Sequence, residues 1–168
     1  MSAFDPIIGG QPKTLVLGSM PGQVSLGKGE YYAHPRNSFW WIMASEYGFN
    51  VASHYAQRCQ HLIDNNIAVW DVLFDCERPG SLDSAIVKNT EIVNDFRAFF
   101  NKYPYIEKII FNGGAAQRLF RRHNAQLIDE LTARPVPVQL IQCPSTSPAY
   151  ASITKQAKSV EWAHALGS

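Results

Sequence analysis

The chain has 168 residues, 46% of them hydrophobic and 12% aromatic, which is enough apolar material for one substantial core in a single domain. With 15 Lys plus Arg against 14 Asp plus Glu, the formal net charge is +1, so no global field marks a nucleic-acid binder and any such contact must come from a local patch. The 3 cysteines, Cys59, Cys76 and Cys143, stand far apart without a C-x-x-C pair, which argues against a zinc site, an iron–sulfur cluster and a disulfide framework.

In chain order, Thr14 to Ser19 is a strand candidate, rich in Leu and Val and ended by Ser-Met-Pro-Gly. Ser38 to Tyr47 has helical character, with Asn37 placed to cap it and Gly48 to close it. Ser53 to Asn65 repeats Tyr55, Cys59 and Leu62/Ile63 at helical spacing. A second strand is expected over Ile67 to Leu73, then a polar connection over 74–90 containing Arg78-Pro79-Gly80-Ser81, then helical periodicity from Thr90 to Tyr103. Lys108 to Phe111 is the third strand, followed by Asn112-Gly113-Gly114 and a helix from Ala115 to Arg122. Val136 to Gln142 is the fourth, running into Cys143-Pro144-Ser145-Thr146-Ser147-Pro148, and a last helix is expected over Ile153 to Leu166. No segment approaches the roughly 20 apolar residues of a membrane span, and MSAFDPIIGG lacks the order of a secretory signal, so a soluble cytoplasmic protein is expected.

Strands alternating with helices predict βαβ units and a parallel sheet with helices on both faces, an α/β sandwich of three layers. Ligands of such sheets sit beyond the carboxyl ends of the strands. The chemically unusual residues lie at those ends: Gly18 to Gly22, Asp71, Asn112 to Gly114, and Pro144 to Tyr150. Four sequence-distant segments are therefore expected to converge on one crevice.

Taken in order, LVLGSMPG, YYAHPRNSFW, VWDVL, FNGGAA and CPSTSPAYA resemble the hypoxanthine-DNA glycosylase branch of the uracil-DNA glycosylase superfamily, over residues 15 to 151. The resemblance implies a four-stranded parallel sheet between helices and a flipped-out base in the crevice. It also implies hydrolysis of the N-glycosidic bond without metal or cofactor, in the repair of a deaminated base such as hypoxanthine. A monomer acting on DNA is the expected arrangement, and no motif marks a lysine as a Schiff-base former, so no lyase step is expected.

Cleaving a nucleoside C1′–N bond develops oxocarbenium character on the sugar and negative charge on the base, so a catalyst can work by placing a water and stabilising charge. The resemblance at Pro-Arg-Asn-Ser-Phe-Trp makes Asn37 the water-positioning candidate; the bland alternative is that it caps the next helix. Asn112, before two glycines, can present an amide donor–acceptor pair to a base, or can simply make turn chemistry. Gly18, Ser19, Met20, Pro21 and Gly22 are expected to floor the pocket. Tyr31 or Tyr32 stacks on the base while the other packs, and Phe39 is a further lining candidate.

Asp71 stands where other branches of the superfamily place a base-reading Asn, and its role stays open between acceptor, structural support and, if desolvated, proton transfer. The segment resembling the second motif has no His between Cys143 and Tyr150, which leaves Ser145 or Ser147 for phosphate or sugar and Pro148, Ala149 and Tyr150 as wedge candidates. Lys28, Arg36, Arg78, Lys155 and Lys158 are the cations near the expected crevice. The alternatives are a uracil or mismatch-specific glycosylase, a non-catalytic lesion reader, and a hydrolase of free nucleosides or nucleotides.

Overall fold

The structure is a computed structural model that describes residues 4–167. In chain order it contains β1 (Thr14–Gly18), α1 (Gln23–Lys28), α2 (Phe39–Tyr47), α3 (Tyr55–Asp64), β2 (Ile67–Asp71) and β3 (Leu73–Asp75). After a short 3-10 turn at Asp83–Ala85 come β4 (Ile92–Val93), α4 (Phe96–Lys102), β5 (Lys108–Asn112), α5 (Gly114–His123), α6 (Ala125–Thr132), β6 (Gln139–Cys143) and α7 (Lys155–Gly167).

Four strands pair in parallel in the order β2-β1-β5-β6. Strand β1 is central and apolar on both faces, as a strand covered twice must be. The two-residue period then decides what each side chain covers. Leu15 and Leu17 join Ala68, Ile109 and Phe111 on one face, packed against Phe96, Phe100, Phe120 and Leu131 of α4, α5 and α6. Val16 joins Val69 and Ile110 on the other, under Phe39, Ile42, Met43, Leu62 and Trp162 of α2, α3 and α7. This is the three-layer α/β/α sandwich with a four-stranded parallel sheet that the alternation predicts.

Several boundaries differ from the sequence reading, each for a local reason. The strand expected over Ile67–Leu73 divides at Val72, whose N–H reaches Gly18 O at 2.8 Å while the chain turns away to pair antiparallel with β4. The helix expected from Thr90 begins only at Phe96, because Asp95 caps it by accepting the Ala98 N–H at 3.0 Å. Strand β6 begins at Gln139 rather than Val136: Pro135 and Pro137 have no N–H to give a ladder. Helices α1 and α6 lie outside the elements the sequence predicts; α1 is only 6 residues long and carries three polar residues and a glycine, too little for a period to show.

Two side chains from α7 tie the helical layer to the end of β6. Trp162 is fully buried, lies edge-on to Phe39, and donates through Nε1 to Pro144 O at 2.9 Å. Lys158 is buried too, and its ammonium donates to Ser147 O at 3.2 Å and Tyr150 O at 2.6 Å. Trp162→Ala is therefore expected to cost about 3–5 kcal/mol in chemical denaturation, the usual range for emptying an aromatic site, and to loosen the segment after β6.

Candidate active site at the carboxyl ends of the strands

A cavity of about 440 Å³ opens at the carboxyl edge of the sheet, bounded by residues from every strand end. Of the residues singled out in the sequence, Gly18, Ser19, Met20, Pro21, Gly22, Tyr32, Asn37, Asp71, Asn112, Ser145, Ser147, Pro148 and Ala149 line it. Arg36, Tyr150 and Lys155 lie instead in an adjoining groove, which shares Tyr32, His34, Asn37, Thr146 and Pro148 with the cavity.

Thr146 holds Asn112 and Ser38, the neighbour of Asn37. It is buried, its N–H donates to Asn112 Oδ1 at 2.9 Å, and its Oγ1 accepts from Asn112 Nδ2 at 3.0 Å. Its carbonyl accepts from the Ser38 N–H at 3.0 Å and from Ser38 Oγ at 3.3 Å, at the start of α2. One residue thus joins the end of β5, the segment after β6 and the residue next to Asn37. Asn112 consequently spends one donor and one acceptor on this clamp, keeping one N–H and one lone pair for anything else. Neither composition nor period pointed to Thr146; its only signal was its place between Ser145 and Ser147.

Asn37 takes part in local structure without being used up by it. The cap position of α2 is Ser38, not Asn37, and Asn37 Oδ1 accepts the Phe39 N–H at 3.0 Å. Its Nδ2 and one oxygen lone pair remain for the cavity it lines. His34 Nδ1 accepts the Arg36 N–H at 3.1 Å, which makes Nε2 the hydrogen-bearing nitrogen of the neutral ring.

The two tyrosines separate in function. Tyr31 is buried, with its hydroxyl donating to Asp5 O at 3.0 Å, and packs in the core while bordering the cavity. Tyr32 adopts a left-handed φ of 54°, uncommon for an aromatic residue, and stacks on Phe39 with ring centroids 4.2 Å apart. Phe39, expected in the lining, is completely buried and does not reach the cavity; it supports Tyr32 from behind.

Beside Tyr32 lies the most strained electrostatic feature of the site. Asp71 is only 3% exposed, and its Oδ2 and the Tyr32 hydroxyl are both buried without a hydrogen-bond partner. Burial, and secondarily the charge of Asp83, push the Asp71 carboxyl up to about 7, with Arg78 pulling the other way. Burial also raises the Tyr32 hydroxyl, again reinforced by Asp71, while the neighbouring Asn112 amide, short of a well-formed hydrogen bond, acts the other way. Gly18 makes room for both: a Cβ there would stand 2.5 Å from Asp71 Oδ1 and 2.9 Å from the Tyr32 oxygen. The glycine is demanded by close approach rather than by its backbone angles.

The polar connection over 74–90 folds over the cavity, contributing Ser81, Leu82 and Asp83. Ser19 Oγ donates to Asp83, and Ser81 Oγ accepts the Gln23 N–H at 2.8 Å. Arg78, a candidate phosphate contact in the sequence, donates instead to Pro21 O, to Met20 O at 3.5 Å and to Gly80 O at 3.0 Å. Its charge braces the first strand-end turn from within. Lys158 is likewise committed to backbone carbonyls and is not a free cation. The Arg-Pro-Gly-Ser turn was visible in the sequence, but nothing in it linked Asp83 to Ser19, 64 positions away.

The adjoining groove has the opposite character. Lys28, Arg36, Arg58, Lys155 and Lys158 line it with Glu30 as the one acidic residue, and its aromatic wall includes Trp40, Trp41 and Tyr150. Arg58 lies over the Trp40 ring at 4.8 Å and Lys155 over Trp41 at 4.5 Å. Among the described residues no group of three or more His, Cys, Asp or Glu is arranged to hold a metal ion, and no helix is long and apolar enough to cross a membrane.

The fold is thus a parallel α/β/α sandwich with a polar cavity at the strand ends and a cationic, aromatic-walled groove running into it. The chain belongs to the uracil DNA glycosylase superfamily, whose family model matches residues 6–166. A protein of Methanosarcina barkeri named hypoxanthine DNA glycosylase is 37% identical over 111 residues, covering 66% of this chain and 69% of that protein. One of the same name from Methanosarcina acetivorans is 34% identical over 114 residues, covering 67% and 71%. A solution NMR structure of a candidate uracil DNA glycosylase from Methanosarcina acetivorans superposes with a TM-score of 0.79 at 28% identity, covering 98% of this chain and 95% of that one.

The buried carboxyl gives a stability signature. Because the folded state binds the Asp71 proton more tightly than the unfolded chain does, its contribution is fully present below about pH 4 and is lost as pH rises towards 7. Asp71→Asn removes that loss: the variant is expected to be more stable than the parent at pH 8 by roughly 2–4 kcal/mol, with the advantage shrinking towards pH 5, in urea titrations at both values.

Proposed function

We propose that the chain is a monofunctional DNA glycosylase that everts a deaminated base, foremost hypoxanthine from deoxyinosine, into the cavity and hydrolyses its N-glycosidic bond. The observation that carries this is the juxtaposition of Asn37, Tyr32, Asn112 and Asp71 around one base-sized cavity that opens into a groove lined by five cationic side chains. The names of the two Methanosarcina relatives agree with it.

In this reading the everted base stacks on Tyr32, whose ring is held by Phe39 behind it. Asn37 holds the attacking water through its free Nδ2 and remaining lone pair. It is an orienting group and a poor base, so the departing base must be a good leaving group or be assisted. Asn112 offers its spare N–H or lone pair to the base or the water while its clamp on Thr146 fixes its direction. Ser145 and Ser147, with Pro148, Ala149 and Tyr150, form the edge that enters the DNA where the base has left. Arg36 and Lys155 meet the phosphates, and the protein works as a monomer in a single domain. No lysine lines the cavity among the described residues, which supports hydrolysis without a Schiff-base step.

Single-turnover excision from duplexes carrying one deoxyinosine, deoxyuridine or deoxyxanthosine, read by alkaline cleavage, tests the reading. Release from deoxyinosine is expected to be fastest. Tight binding of the lesion without release would make the protein a reader, and equal hydrolysis of free nucleosides would make it a small-molecule hydrolase. Asn37→Ala is expected to slow release by about 100-fold or more while changing duplex affinity by less than about fivefold, as for a group that acts mainly on the transition state. The double variant Arg36→Ala, Lys155→Ala is expected to lower the slope of log affinity against log salt by up to about 2, with base preference unchanged.

A further inference from the structure

One buried polar group of the cavity is left without an assignment by this mechanism. Asp71 ends β2 with its carboxyl enclosed, Oδ2 unpartnered, and its other oxygen pressed against Gly18. A structural carboxylate would be expected to accept hydrogen bonds, as Asp95 does from Ala98 and Asp83 does from Ser19. The Asn94 amide donates to the Asp71 main-chain oxygen at 2.8 Å and not to the carboxyl. An enclosed carboxyl without donors is the environment that favours its acid form.

The surroundings say what such an acid would do. The groups bearing on it are Asp83 and Arg78 from the 74–90 segment, and the Tyr31 and Tyr32 hydroxyls from the turn before α2. Arg78 is turned to the carbonyls of Met20 and Pro21, and neither Lys nor Arg lines the cavity. A base leaving as an anion would therefore meet no fixed positive charge. A neutral acid can meet that need by giving up a proton, and a purine offers ring nitrogens to receive it.

Resting on the glycosylase reading above, we propose that Asp71 is the general acid of this cavity, delivering its proton to a ring nitrogen of the departing purine. In the step, the water oxygen bonds to C1′ and the C1′–N9 electron pair passes into the purine ring. The Asp71 proton goes to a ring nitrogen and leaves a carboxylate. The proton lost by the water returns through solvent to restore the acid. Asp83, kept close by Ser19, favours the acid form between turnovers, and the Tyr32 hydroxyl stands ready to donate to the carboxylate once it forms.

Asp71→Asn keeps the shape and a hydrogen-bond donor but carries no transferable proton. Single-turnover release of hypoxanthine by the parent is expected to fall about tenfold per pH unit above about pH 7, as the acid form is lost. In the variant, release is expected to be about 100-fold slower at pH 6.5 and flat between pH 5.5 and 8.5. Affinity for a duplex containing non-cleavable 2′-fluoro-deoxyinosine is expected to stay within threefold. A variant that keeps the parental rate, keeps the parental pH profile, or loses affinity as much as rate would overturn the assignment while leaving the glycosylase reading intact. A parental rate flat across that pH range would overturn it without any variant. A parent that releases none of the three bases would overturn both.

Discussion

The site depends on the hydrogen bonds of Thr146. Its N–H, hydroxyl and carbonyl are engaged by Asn112 from one strand and Ser38 from the start of a helix. Parallel sheets leave their strand ends joined only through loops, and a loop cannot hold two side chains in register unless something crosses between them. Here a single buried residue makes the crossing, supported from behind by Trp162 and Lys158 of α7. A small relaxation of the loop would shift Asn112 and the start of α2 together, and under the proposed function a misplacement of an angstrom there is expensive.

The floor of the cavity obeys a different constraint, close approach. Gly18 lets the Asp71 carboxyl and the Tyr32 hydroxyl crowd one point, and the left-handed backbone at Tyr32 turns its ring onto Phe39. Two buried polar atoms without partners and an aromatic residue at positive φ each cost stability. They occur side by side in the cavity, where an incoming base can supply the missing partners. The two cores beneath, one on each face of the sheet, are dense with aromatic and aliphatic side chains and absorb that cost.

Charge is divided between two neighbouring spaces. The cavity holds the two carboxylic groups Asp71 and Asp83 and no Lys or Arg, whereas the groove holds five cations and one Glu. A chain near overall neutrality can in this way present a local field to a polyanion without placing a cation against the base itself. Lys155 and Arg58 lie over tryptophan rings, which orders their stems.

The strand and helix alternation, the parallel sheet and the location of the site were legible in the sequence because they rest on local periods and on punctuation by Gly and Pro. So was most of the lining: Gly18 to Gly22, Tyr32, Asn37, Asp71, Asn112, Ser145 and Ser147 all face one cavity. What the sequence could not carry was pairing between distant residues. That Thr146 rather than the base engages much of Asn112, that Phe39 lies behind Tyr32, that Arg78 and Lys158 serve carbonyls, and that Asp83 reaches Ser19 are each contacts across 7 to 64 positions. No local period encodes such contacts. The residue types set what chemistry was possible, and the tertiary structure decided which donors and acceptors were already spent, because burial forces polar groups to pair and only packing determines with whom.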